Sequence, residues 1–138
     1  MRSPTIHDGK VNALGTLKGH EGEVRAVAVS LAGKTLGIGS ADGTVRLWDA
    51  ATRKERAVLK GHRGGVLCVA FSADGRTLAT GSGDETVKLW EVAIAKETAT
   101  LRGHRSGVAA VAFSPDDRTL ASAGMNDAVR LWSLAPGK

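Results

Sequence analysis

The stretch from Leu59 to Glu91 decides the fold, because it holds one full copy of a pattern that the chain repeats. It reads LKGHRGGVLCVAFSADGRTLATGSGDETVKLWE. Its opening motif of Leu, Lys or Arg, Gly and His ends at His62, and the same motif ends at His20 and at His104. These three histidines are 42 residues apart in both steps. A constant spacing of this length is typical of repeat architectures.

A second motif keeps the same spacing and supports the repeat independently. Val, a basic residue, Leu and Trp occur together three times, ending at Trp48, Trp90 and Trp132. The two motifs stay in phase over three copies, so the chain consists of three repeats of about 42 residues.

Each repeat reads as four short strands separated by turns. In the second copy the predicted strands are Val66–Phe71, Arg76–Gly81, Thr86–Glu91 and Lys96–Leu101, with turn residues between them. No window has the apolar period of a helix. Strands that are apolar on both faces require cover on both sides. The sequence therefore predicts an all-β fold in which small four-stranded antiparallel sheets stack on one another.

These motifs resemble the WD40-repeat family of β-propellers, and the resemblance covers residues from about 11 to 134. It implies three propeller blades, which are half of a six-bladed ring or a fragment of a longer propeller. The expected units are an N-terminal tail at 1–10, an outer strand of a preceding or closing blade at 11–17, repeat 1 at 18–60, repeat 2 at 61–102, and repeat 3 at 103–138, which lacks its outer strand.

The same resemblance implies a buried hydrogen-bond relay in each blade, made by His, a hydroxyl residue, a turn Asp and Trp. Trp only donates, His both donates and accepts, and a carboxylate only accepts, so these types can form a chain. The expected members are His62, Thr80, Asp84 and Trp90 in repeat 2; His104, Ser122, Asn126 and Trp132 in repeat 3; and His20, Asp42 and Trp48 in repeat 1, where Ile38 takes the hydroxyl position.

The resemblance also implies a partner-binding face, formed three and five residues after each motif histidine and just before each turn acid. The positions are Glu23, Arg25 and Ala41; Gly65, Leu67 and Gly83; and Gly107, Ala109 and Met125. Most of them are small, and only an arginine matches the residues that dominate binding interfaces. We therefore expect a partner to contact Glu23, Arg25, Leu67 and Met125.

Three blades fall short of the four to eight that close a propeller. A strand-like segment at residues 11–17 precedes the first repeat, whereas the last repeat lacks its outer strand. Two copies would form a six-bladed ring in which each N-terminal strand completes the other copy, so we expect a homodimer. The alternative is that the chain is a piece of a longer propeller.

The sequence predicts a scaffold without enzymatic activity, metal or cofactor, because it has no phosphate-binding loop, nucleophile motif or metal-ligand cluster. One cysteine and no apolar segment of membrane-spanning length suggest a cytoplasmic protein that does not contact a membrane. We expect a protein or peptide partner. Two alternatives stay open. In the first, the chain binds nucleic acid through its basic loops, which the net charge of +5 permits. In the second, it is a regulatory propeller fragment of a larger enzyme.

Overall fold

The fold is described from a computed structural model, which describes residues 22–134. His20 and the segment 11–17 lie outside this range. No helix long and apolar enough to cross a membrane occurs in it. The described chain forms strands only: β1 Val24–Val29, β2 Thr35–Ser40, β3 Val45–Asp49, β4 Lys54–Leu59, β5 Val66–Phe71, β6 Thr77–Ser82, β7 Val87–Glu91, β8 Lys96–Leu101, β9 Val108–Phe113, β10 Thr119–Gly124 and β11 Val129–Ser133.

The strands form three antiparallel sheets, one per repeat, which confirms the predicted all-β fold. Sheet 1 contains β1–β4, sheet 2 contains β5–β8, and sheet 3 contains β9–β11. Strand order in space follows strand order in sequence, so every connection within a sheet is a hairpin. Within the described residues sheet 3 has three strands, and β11 forms its outer edge.

The first hairpin of each sheet turns through a residue with left-handed backbone geometry. Gly33 and Gly75 take this position with φ of 75° and 74°, which glycine adopts without steric cost. Asp117 takes it in sheet 3 with φ of 61°. Its carboxylate accepts the backbone N–H groups of Ala73 and Asp74 at 2.7 and 3.2 Å, so the strained turn also ties sheet 3 to sheet 2.

The three sheets stack face to face, and glycines on β2 and β6 permit their close approach. A Cβ atom on Gly39 would lie 2.6 Å from Cγ1 of Val66, and one on Gly81 would lie 2.7 Å from Cγ1 of Val108. Both valines are fully buried. The core between sheets 1 and 2 is Val45, Leu47, Leu59, Val66, Leu78, Trp90 and Val92, and the core between sheets 2 and 3 is Ala79, Val87, Leu89, Val108 and Leu120.

Among residues 22–134, nothing packs on the outer faces of the stack, and both faces are apolar. On sheet 1, Val27 is 63% exposed, and Val24 and Val29 are also exposed. On sheet 3, Leu131 is 73% exposed, beside the exposed Val129. The residues at the same repeat positions of the inner sheet faces are buried, among them Val66, Leu47 and Leu89. We call Val24, Val27 and Val29 the first open face, and Val129 and Leu131 the last open face.

Candidate interaction face and hydrogen-bond relays

In sheet 2 the four residues predicted from the sequence form one continuous chain of hydrogen bonds. Nε1 of Trp90 donates to Oγ1 of Thr80 at 2.9 Å. Oγ1 of Thr80 lies 2.7 Å from Nε2 of His62, and Nδ1 of His62 lies 3.0 Å from Oδ2 of Asp84. The relay therefore links β7, β6, the loop before β5 and the turn after β6.

The donors and acceptors of this relay run in one direction. The carboxylate of Asp84 only accepts, so Nδ1 of a neutral His62 carries the proton and Nε2 accepts. The hydroxyl of Thr80 then donates to Nε2 of His62 and accepts the N–H of Trp90. Every buried polar atom along the chain is satisfied, as close packing in a low-dielectric interior requires.

The charge state follows from burial and hydrogen bonding. Burial lowers the pKa of His62 below its ordinary value of 6.5, although Asp84 opposes the shift. For Asp84, partial burial favours the protonated form, but hydrogen bonds from Thr86, from the backbone N–H of Arg63 and from His62 outweigh it and hold the pKa well below 3.8. At neutral pH the relay contains a neutral imidazole and an ionised carboxylate.

The relay has the residue types of a catalytic triad but not its accessibility. Thr80 is fully buried, and its hydroxyl already accepts from Trp90 and donates to His62. A nucleophile must be within reach of its substrate, and the hydroxyl of a fully buried threonine is not. The arrangement therefore connects the strands and loops of the sheet by hydrogen bonds.

In sheet 3 the prediction that Asn126 replaces the acid of the relay is wrong, because Asp127 takes that place. Nδ1 of His104 lies 3.0 Å from Oδ2 of Asp127, which also accepts the backbone N–H of Arg105 at 2.9 Å. A carboxylate accepts through both oxygens, whereas the amide of Asn126 has one acceptor oxygen. The signal in the sequence was the acid one residue further along the turn.

The remainder of this relay repeats the geometry of sheet 2. Nε1 of Trp132 donates to Oγ of Ser122 at 2.8 Å, and that oxygen lies 2.6 Å from Nε2 of His104. Backbone N–H groups of Arg105 and Ala128, with His104, lower the pKa of Asp127 to about 2. The side chain of Asn126 lies at the surface instead.

Sheet 1 does not repeat this arrangement at the hydroxyl position. His20 lies outside the described residues. Ile38 is buried where Thr80 stands in sheet 2, and it offers no hydroxyl. Asp42 accepts from the backbone and side chain of Thr44 at 3.0 and 2.6 Å, and Trp48 is buried.

The predicted contact positions lie side by side at one end of the three sheets. In each sheet a backbone N–H after the second strand donates to a carbonyl before the first strand. The pairs are Ala41 to Glu23 at 2.7 Å, Gly83 to Gly65 at 2.9 Å, and Met125 to Gly107 at 2.8 Å. A Cβ atom on Gly65 would lie 3.3 Å from Cα of Ala41, and one on Gly107 would lie 3.4 Å from Cα of Gly83. The positions thus form a continuous stripe, which we call the candidate face.

The candidate face is polar at one end and apolar at the other. At the sheet 1 end, Nη2 of Arg25 lies 3.4 Å from Oε1 of Glu23, and both side chains are exposed. At the other end, Leu67 and the 61% exposed Met125 both lie beside Gly107, whose Cβ would be 3.4 Å from Cδ1 of Leu67 and 3.0 Å from Sδ of Met125. The structure therefore brings Leu67 and Met125 together.

Cys68 lies between sheets 2 and 3. Burial raises the pKa of its thiol to about 11, so it is protonated at neutral pH. Its Sγ lies 3.5 Å from the carbonyl oxygen of Val108. The side chain packs beside the core of these sheets, as a small apolar residue does.

Comparison with known proteins gives a family match over most of the chain. The model of the WD domain, G-beta repeat, matches residues 7–49, 53–91 and 95–133. A 40-residue stretch is 48% identical to the ribosome biogenesis protein ERB1 of Yarrowia lipolytica, and covers 29% of this chain and 5% of that protein. A solved structure of U3-55K matches with a TM-score of 0.83 and 26% identity, over 86% of this chain and 38% of that chain. The chain therefore spans well under two thirds of either protein.

Replacing Asp127 tests the assignment of the relay acid. We expect Asp127→Ala to lower the free energy of unfolding, because it leaves Nδ1 of His104 and the N–H of Arg105 without their acceptor. Asn126→Ala is the matched control, and its effect should be much smaller. Urea denaturation followed by tryptophan fluorescence compares the two. A larger loss in Asn126→Ala would contradict the assignment.

The relay of sheet 2 also predicts how stability depends on pH. Because the pKa of His62 is lowered on folding, the unfolded chain binds the proton more readily. The contribution of His62 to the free energy of unfolding is thus fully present above about pH 6.5, and it is lost as the pH falls below that value. A second loss, from Asp84, begins near pH 3.8. Urea midpoints between pH 8 and pH 5 measure the first step, which should become smaller in His62→Gln. Equal steps in both proteins would contradict this reading.

Proposed function

Since this chain belongs to the WD40-repeat family, we propose that it is a scaffold without enzymatic activity that binds a peptide or protein segment on the candidate face. The continuity of that face across three sheets is the observation that carries the proposal. A stripe of small residues leaves the backbone accessible, so an extended segment can approach closely. Arg25 and Glu23 supply charge at one end, while Leu67 and Met125 supply an apolar contact at the other.

The loops that present this face are held by the relays. Gly83 immediately precedes Asp84, and Met125 lies two residues before Asp127. A preorganised loop loses less conformational entropy on binding than a mobile one does. The relays thus favour binding without contacting the partner.

Peptides selected by display against the full chain test this proposal. We expect their affinity to fall by at least about tenfold in Met125→Glu and in Arg25→Glu, which is the size of effect that contact residues with a large share of the binding energy have. Ile94→Glu is the matched control, because Ile94 is an exposed apolar residue in the turn between β7 and β8 and lies away from the face. Equal binding to all three variants would place the partner elsewhere.

We also propose that two copies of the chain assemble into a six-bladed ring. Inside the chain, each contact between sheets joins the first strand of one sheet to the sheet before it. The first open face carries the residue types of one side of such a contact, and the last open face carries those of the other side. The last open face of one copy would cover the first open face of the other, twice around a two-fold axis. This association removes large apolar side chains from water on both sides.

One residue makes this contact differ from those within the chain. Ala123 occupies the position that Gly39 and Gly81 hold in the other sheets. At those two positions a Cβ would lie 2.6 and 2.7 Å from a valine of the next sheet. The valine that Ala123 would meet is Val24 of the second copy, so the two copies must pack slightly further apart.

Native mass from light scattering after size exclusion tests the ring. We expect the wild-type chain to be a dimer. Leu131→Glu should be a monomer, because its carboxylate would be buried in the contact, whereas the control Ile94→Glu should remain a dimer. Ala123→Gly should strengthen the association, since it removes the methyl group that prevents close packing. A wild-type monomer at all concentrations would rule out the ring.

A further inference from the structure

A polar cavity of about 350 Å³ opens at the end of sheet 2 where the candidate face also lies. Its walls come from the loop before β5, the turn after β6, the start of β7 and the loop after β8. The residues that line it are Gly61, Arg63, Asp84, Thr86, Lys88 and Arg102. Three of these side chains are cations and one is an acid, so the cavity presents mainly positive charge.

The two arginines of this cavity have no partner inside the described chain. Within residues 22–134, neither guanidinium forms a salt bridge or a hydrogen bond, and both side chains are exposed. Arg63 contributes only its backbone N–H, which donates to Oδ2 of Asp84 at 2.9 Å. A guanidinium carries five N–H donors in a planar fork. The donors of Arg63 and Arg102 are therefore available to an anion from outside.

Lys88 adds a third cation, and it is only 8% exposed. Its Nζ donates to Oε2 of Glu97 and to Oγ1 of Thr100, both at 2.9 Å. An ammonium group has three N–H donors, so one remains for a further acceptor. Gly61 leaves space beside this side chain, because a Cβ there would lie 3.6 Å from Cε of Lys88.

Asp84 does not pair with these arginine side chains, because both of its carboxylate oxygens already have donors. Oδ1 accepts the N–H and the hydroxyl of Thr86 at 2.9 and 2.6 Å. Oδ2 accepts from Nδ1 of His62 at 3.0 Å and from the backbone N–H of Arg63 at 2.9 Å. Four donors fill the four acceptor positions of a carboxylate. The two guanidinium groups are thus left for another anion.

The fold does not require an arginine at position 63. Repeat 1 has Glu21 at the corresponding position, 42 residues earlier in the sequence. Any residue other than proline can supply the backbone N–H that Asp84 accepts. The hydrogen bonds of sheet 2 therefore leave the charge of Arg63 unexplained, and this charge lines the same cavity as the charge of Arg102.

We propose that this cavity binds the phosphate group of a phosphorylated serine or threonine in the segment that lies on the candidate face. The inference rests on the proposed function and specifies the chemistry of the partner. The guanidinium fork matches a phosphate with two parallel N–H donors. A phosphate offers three acceptor oxygens and nearly two negative charges, which suits Arg63, Arg102 and the third N–H of Lys88. A carboxylate offers only two oxygens and one charge.

The cavity and the candidate face share one loop and one turn. Arg63 lies two residues before Gly65 in the loop, and Asp84 directly follows Gly83 in the turn. The N–H of Gly83 donates to the carbonyl of Gly65 at 2.9 Å, which holds the loop and the turn together. A segment that crosses the candidate face at these two glycines can therefore place a side chain in the cavity.

A phosphorylated peptide fits this cavity better than a nucleic acid does. Single-stranded nucleic acids bind through stacking of bases on aromatic side chains as well as through their phosphates. No tryptophan, tyrosine or phenylalanine lines the cavity. Phe71 and Phe113 are the last residues of β5 and β9, so they lie at the opposite end of their sheets. The site thus offers contacts for one phosphate and none for a base.

Arrays of peptides with a central phosphoserine and degenerate flanking residues test the proposal. Matched arrays carry serine or glutamate at the centre. The labelled full-length chain is applied to them, and the best phosphoserine sequence is then titrated by fluorescence anisotropy. We expect it to bind at least about tenfold more tightly than its serine and glutamate counterparts, because they lack the doubly charged group.

Variants of the chain assign this preference to the cavity. It should shrink to less than about twofold in Arg63→Glu, which introduces the residue that repeat 1 carries, and also in Arg102→Gln. Arg76→Gln is the matched control, since it removes an exposed arginine from the turn between β5 and β6, at the opposite end of sheet 2. It should keep the full preference. Equal Tm values in the three variants would show that the fold is retained.

Met125→Glu separates the phosphate site from the candidate face. If phosphoserine and serine peptides bind equally and Met125→Glu weakens both, the face stands and the phosphate site is overturned. If the phosphoserine preference persists at unchanged affinity in Met125→Glu, the site stands and the face is rejected. Absence of binding, or the same preference in Arg63→Glu as in the wild type, would also overturn the site. Tighter binding of a mixed-sequence single-stranded RNA, lost in Arg63→Glu, would assign the arginines to nucleic acid instead.

Discussion

The close stacking of one sheet on the next is the constraint on which the rest of the structure depends. Gly39 and Gly81 leave room for Val66 and Val108 to rest on the backbone of the preceding sheet. A single four-stranded sheet has too little area to form a core of its own, so each sheet supplies half of a core and its neighbour supplies the other half. The apolar faces at the two ends of the stack follow directly from this arrangement.

Stacking also explains the hydrogen-bond relays. It buries the indole of Trp90 and the hydroxyl of Thr80, whose polar atoms must then find partners inside the protein. The chain of donors that begins at the indole N–H needs an acceptor at its other end. A carboxylate serves best because it has no donor of its own, and this is why sheet 3 uses Asp127 although Asn126 holds the repeat position.

The same relays connect the core to the surface that we assign to binding. Each relay begins at a tryptophan in the sheet and ends at the turn that carries a residue of the candidate face. Its hydrogen bonds therefore hold the surface loop in place. The outer edges of sheets 1 and 2 follow a related principle. Arg46 on the third strand of sheet 1 pairs with Glu55 on the fourth, and Lys88 pairs with Glu97 in sheet 2, so each pair helps to attach the outer strand.

Much of this protein is determined by sequence alone. The repeat, the strands, the stacking of sheets and the members of the relay in sheet 2 could all be predicted, because each depends on residue type and spacing. The relay acid of sheet 3 could not, since the choice between Asn126 and Asp127 depends on how the turn closes over His104. Burial could not be predicted either. Leu131 and Leu47 hold the same repeat position, yet only Leu47 is covered, because only it has a neighbouring sheet. Only the tertiary structure decides which of several equivalent residues meets a partner, since contact depends on what lies across the interface.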